Sequence, residues 1–123
     1  MSTLRVELPC DPASTARARQ LVRECAEQLG RPDLGENAEL LVSELVANAI
    51  RHAGPPLVVR CEESAGGLQI TVCDGSSGQP VLRSAAGTDE AGRGLMLVDV
   101  LAAEWGIDLR PEGGKAVWAV ISD

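Results

Sequence analysis

The sequence predicts an α+β fold, a two-layer sandwich in which helices cover one face of a mixed, mostly antiparallel sheet. Three observations carry this. Apolar residues alternate with period two in Leu4–Leu8 and Leu68–Val72, they recur with helical period in the second of three helical segments, and the order reads β-α-α-β-β-α-β-β. The 123 residues suffice for one hydrophobic core and fall short of two, so 1–123 is read as one domain. Trp105 and Trp118 are the only aromatic residues, which leaves the core to Leu, Val, Ile and Ala.

Residues 3–9 place Leu4, Val6 and Leu8 on one face and Arg5 and Glu7 on the other, a half-buried strand. Asp11-Pro12 supplies an N-cap followed by proline at the first helical position, and Gly30 closes that helix. Asp33 with Glu36 has capping-box spacing and starts a second helix running to about Ala53, where Gly54-Pro55-Pro56 stops it. Strands Leu57–Glu62 and Leu68–Cys73 follow, joined through Ala65-Gly66-Gly67. Residues 74–91 lack periodicity and are rich in Gly, Ser and Ala, a loop long enough to suggest function. Leu95–Ala103 is nearly all apolar and reads as a well-buried helix. Strands Trp105–Leu109 and Lys115–Ile121 end the chain around a Pro-Glu-Gly-Gly turn.

A net charge of −7 argues against binding nucleic acid, because phosphate backbones require clustered Lys and Arg. One nucleotide is still compatible, since backbone N–H groups and a metal can hold it. Cys10, Cys25, Cys61 and Cys73 form no CxxC pair and sit in apolar patterns, so all four read as small core hydrophobes rather than zinc ligands. No signal peptide, lipidation motif or long apolar span is visible, which with reduced thiols predicts a cytoplasmic protein with no membrane partner.

The second helix is the most informative segment. Val42, Leu45, Val46, Ala49, Ile50 and Ala53 fill one apolar arc, while Glu44, Asn48, Arg51 and His52 gather opposite. A solvated face on an amphipathic helix has the same spacing. Two details favour a site. Asn is a poor helix-interior residue, because its side chain competes for backbone hydrogen bonds. A carboxylate and a carboxamide four residues apart also make an oxygen pair suited to Mg²⁺.

Strand Leu68–Cys73 runs into Asp74-Gly75-Ser76-Ser77-Gly78. An Asp-Gly pair is ordinary turn chemistry, yet a carboxylate at a pocket rim could also accept from an exocyclic amine and so select adenine. Gly92-Arg93-Gly94-Leu95 opens the third helix, where glycines allow close approach of a ligand and free N–H groups favour anions.

In this order and spacing, the three elements resemble the GHKL (Bergerat) histidine-kinase-like ATPase superfamily, most of all the small stand-alone domains of bacterial anti-sigma-factor serine/threonine kinases. The segment Glu44 to Ala53 looks like the N-box, Val72 to Gly78 like the first glycine box, Gly92 to Val98 like the second, and Gly113 to Ala119 like the closing strands. The resemblance implies Mg²⁺ held by Asn48, Glu44 as general base, and Asp74 on the adenine amino group. Gly78, Gly92, Arg93, Gly94 and Leu95 would surround ATP, with 79–91 as a lid and Arg51 and His52 on the site-facing arc. It implies ATP-dependent phosphorylation of an anti-anti-sigma-factor-like partner and sequestration of a sigma factor. Relatives of this kind commonly form homodimers. Ser76 replaces a glycine that many relatives have, and the second box is one glycine short of the richest versions, which motivates an alternative: a non-catalytic, ATP-sensing module that binds a partner. A purely structural domain that has lost nucleotide is the third reading.

Overall fold

The computed structural model of the protein describes residues 3–52, 57–64, 66–75, 97–110 and 114–122, with the side chain of His52 excluded. Strand β1 spans Thr3–Leu8, helix α1 Ser14–Gln28 and helix α2 Gly35–His52. Strands β2 (Leu57–Ser64), β3 (Gly67–Asp74), β4 (Glu104–Leu109) and β5 (Lys115–Ile121) complete one five-stranded sheet in the order β1-β2-β3-β5-β4. All four pairings are antiparallel. The predicted α+β class therefore holds. β5 enters between β3 and β4, so the chain lays β4 at the sheet edge before returning beside β3.

Period-two alternation decides what each strand buries. Leu57, Val59 and Cys61 of β2, Leu68, Ile70 and Val72 of β3, and Val117, Ala119 and Ile121 of β5 form one buried face. Against it lie α1, through Ala18, Leu21, Val22, Cys25 and Ala26, and α2, through Ala38, Leu41, Val42, Leu45, Val46 and Ala49. Each buried Leu or Val side chain contributes about 1.5–3 kcal/mol relative to exposure. The α2 arc predicted from spacing is this buried face, with Ile50 half-buried at its margin and Ala53 outside the described residues.

Both helix starts lie later than the sequence suggests. Asp11 does not cap α1. Its carboxylate accepts from the Ala13 N–H at 2.8 Å and its carbonyl accepts from Ser14 N–H, a turn that leads into a helix beginning at Ser14. Asp33 lies in a 3₁₀ turn, Pro32–Leu34, and α2 begins at Gly35. Its carboxylate takes two hydrogen bonds from Arg31, at 3.0 and 3.1 Å. That guanidinium holds the Asp33 carboxyl below its ordinary value, and Arg31 also donates to the Gly66 carbonyl, tying the α1–α2 connection to the β2–β3 turn. Gly30 ends α1 as predicted, at φ +74°, where a Cβ would be strained.

Of the cysteines, Cys25, Cys61 and Cys73 are buried, while Cys10 is half-buried beyond β1, so the core reading fails for it. Burial pushes the Cys25 and Cys61 thiols up. The described part of the third predicted helix, 97–101, buries Val98 but leaves Val100 78% exposed, so this helix is one-sided rather than buried all round. Trp105 Nε1 donates to Asp99 Oδ1 at 2.9 Å, pinning that segment to β4. Among the described residues, no helix is long and apolar enough to cross a membrane.

Gly114 turns the chain into β5 at φ +89°, and a Cβ there would collide with the Asp74 carbonyl. Gly114→Ala should therefore cost about 1–3 kcal/mol from backbone conformation alone, with the collision added. A thermal melt checks this; an unchanged midpoint would show that the turn relaxes without strain.

Candidate functional site

Helix α2 sets two of the predicted side chains one turn apart. Glu44 is half-buried, and Asn48, four residues on, is only 6% exposed. The Asn48 Oδ1 has no hydrogen-bond partner among the described residues. A buried carboxamide oxygen left unpaired forfeits about 1–3 kcal/mol, so its survival in a helix interior marks a position where a ligand can supply the missing contact. Alanine would pack there at no such cost.

Strand β3 supplies the third. Asp74 follows Leu68, Ile70 and Val72 in phase, so its carboxylate lies on the helix-covered side of the sheet. Its rung partner across the antiparallel ladder is Lys115, the first residue of β5. Lys115 Nζ donates to Asp74 Oδ2 at 2.7 Å, and the two side chains are 5% and 2% exposed. This is a buried ion pair at the one strand end where the sequence points to base recognition. Lys115 was not among the predicted site residues. Its signal was present, since it occupies the same face as Val117, Ala119 and Ile121, where an unpaired ammonium would be out of place.

Arg51 is exposed and lines a cavity of about 340 Å³ with Pro12, Thr15, Ala47 and Ile50, between the start of α1 and the last turns of α2. The side chain of His52, together with Gly78, Gly92, Arg93, Gly94, Leu95 and the segment 79–91, lies outside the described residues. Among the described residues, the candidate groups are thus Glu44 and Asn48 on α2 and, at the end of β3, Asp74 paired with Lys115.

Over residues 8–121 the sequence matches the model of the histidine kinase-like ATPase domain. The chain belongs to that family. ATP binding and a kinase-like, ATP-using character go with this membership. In fold, the ATPase domain is similar to the histidine kinase domain of the blue-light activated histidine kinase from Erythrobacter litoralis EL346, with a TM-score of 0.57 and 23% identity. The match covers 98% of this chain and 68% of that one. No curated protein matches the sequence.

Proposed function

We propose that this ATPase domain is a Mg-ATP-dependent protein serine/threonine kinase acting on an anti-anti-sigma-factor-like partner, and that it also sequesters a sigma factor. It would work as a single domain in the cytoplasm, as a homodimer. The observation that carries the reading is the Asn48 Oδ1, buried on α2 with no partner among the described residues, one turn beyond Glu44. A carboxamide oxygen is a hard donor suited to Mg²⁺, which takes one or two protein oxygens and completes its shell with phosphates and water. Bound Mg²⁺ would neutralise charge on the terminal phosphates of ATP.

The chain's own residues then divide the remaining work. Asp74 accepts a hydrogen bond from the adenine amino group, fixing the base at the β3 end of the site. Glu44 accepts the proton of the acceptor hydroxyl as that hydroxyl's oxygen bonds to the γ-phosphorus and the bond from the γ-phosphorus to the β-phosphate oxygen breaks, with ADP leaving, which spares the reaction a strongly acidic oxonium. The segment Gly92 to Leu95 meets the phosphates with backbone N–H groups, and Arg93 adds a positive charge. Arg51 and His52 orient the helix end and the lid. The serine/threonine assignment rests on the sequence likeness to stand-alone anti-sigma kinases.

Calorimetric titration of ATP with and without Mg²⁺ tests the reading. Wild type should bind more tightly with the metal, and Asn48→Ala should lose that gain, weakening Mg-ATP by about 10–100-fold. An Asn48→Ala protein that keeps the full Mg²⁺ effect would remove Asn48 from the metal site.

A further inference from the structure

We infer that the sheet face turned away from the helices is a homodimer surface, on which a second copy of this chain lies face to face. This places the homodimer proposed above and rests on that part of the reading. Among the described residues, α1 and α2 pack on the opposite face only. The strand register lays a row of five side chains across the middle of the uncovered face: Arg5, Arg60, Thr71, Trp118 and Gly106. Val58, Cys73 and Ala116 adjoin it on the neighbouring rung, and Glu104 and Asp108 flank Gly106 along β4.

Two features of the middle row are costly in a lone chain. Arg5 and Arg60 face each other on one rung, and like charges directly opposed are destabilising. The Arg60 Nε is buried with no hydrogen-bond partner among the described residues. Beside these charges, Thr71 is only 4% exposed and Trp118 is half-buried. The indole lies over Gly106, where an added Cβ would come within 2.7 Å of the ring. A fitting partner therefore offers an aromatic surface to one guanidinium, carboxylates to the other, and apolar contact between them. This face offers all three.

Two sheets packed face to face can share a twofold axis across the strands or along them. An axis across the strands sets Arg60 on its own copy and Arg5 on its own copy, which charge forbids. An axis along β3, the central strand, sets β2 over the partner's β5 and β1 over the partner's β4. Arg60 then covers the partner's Trp118, a cation–π contact that asks no hydrogen bond of Nε. Val58 meets the partner's Ala116, and Cys73 meets its own copy. Arg5 falls over the partner's Gly106. The twist of about 30° between aligned sheets moves it toward the partner's Glu104 or the partner's Asp108, and both are acids. The weak contacts of this stacking are Glu62 over the partner's Val120 and Glu7 over the partner's Asp108, the latter at the exposed rim where solvent screens it.

Strand spacing and rise give the face a footprint of about 20 by 20 Å. That is the small end of specific interfaces, so the dissociation constant should be about 1–10 μM. Analytical ultracentrifugation of the intact protein measures it, with ATP titration of each variant as the check on folding. Arg60→Glu and Arg5→Glu should each weaken association about 10–100-fold. Adding Glu104→Lys and Asp108→Lys to Arg5→Glu should restore it, a rescue that a merely structural role would not give. ATP affinity should stay unchanged throughout, because the nucleotide groups lie on the helix side. Wild type that is monomeric at about 100 μM overturns the surface and the homodimer with it. Arg5→Glu that associates like wild type, or swapped charges that fail to restore association, overturns the surface and leaves the homodimer standing. Arg5 is exposed, so its variants decide the matter even where Arg60→Glu does not fold. Wild type that dimerises through this face yet transfers no phosphate sinks the kinase reading alone.

Discussion

Replacing Glu44 with glutamine should slow phosphoryl transfer about 10²–10⁴-fold, the range a positioned general base supplies, while ATP affinity changes little. Glutamine keeps the size and the hydrogen-bonding reach of the side chain and removes only its capacity to take a proton. Glu44 is half-buried on α2, and α2 is held to α1 by the Arg19 and Arg23 pairs with Glu39 as well as by its apolar face. The substitution therefore touches neither the core nor that clamp. The measurement is single-turnover transfer of ³²P from labelled ATP to an anti-anti-sigma-like protein, with nucleotide affinity taken in parallel. A glutamine variant that transfers at the wild-type rate would end the base assignment. Wild type that binds ATP yet labels no partner would favour the nucleotide-controlled binding module.

The parts of this molecule legible in its sequence are those governed by local period. The α2 arc was readable because burial on a helix repeats every 3.6 residues, and the same wheel isolated Glu44 and Asn48. The strands were readable from alternation, to within a residue or two at their ends. Capping was less legible. Asp11 and Asp33 have the right residue type, yet each found a nearer partner, the Ala13 N–H in one case and the Arg31 guanidinium in the other, and both helices start later. The apolar run 95–103 looked buried because composition carries no direction; Val100 faces outward there. Lys115 stood out as a charge on an apolar face, but its partner was not readable. It lies 41 residues from Asp74, and only the placement of β5 between β3 and β4 makes the two rung partners. Strand order is a non-local property, and nothing in the spacing of either residue encodes it.

That same pair carries the largest expected effect on stability. At 2.7 Å and an effective dielectric near 20, the attraction is about 6 kcal/mol, while removing two ions from water costs several kcal/mol each. The pair therefore adds little net stability, but either half alone is a buried charge without compensation. Lys115→Met or Asp74→Leu should each destabilise the domain by about 3–5 kcal/mol, lowering the melting midpoint by about 10–20 °C for a chain of this size. The double variant, with two apolar side chains filling the same space, should recover most of that loss. Equilibrium urea unfolding of all four proteins closes the cycle. A double variant as unstable as the sum of the singles would mean that the two charges do not compensate each other. A double variant that folds well yet no longer retains ATP carries the stronger implication: an apolar pair would have served the fold, so the charges at the end of β3 answer to the nucleotide.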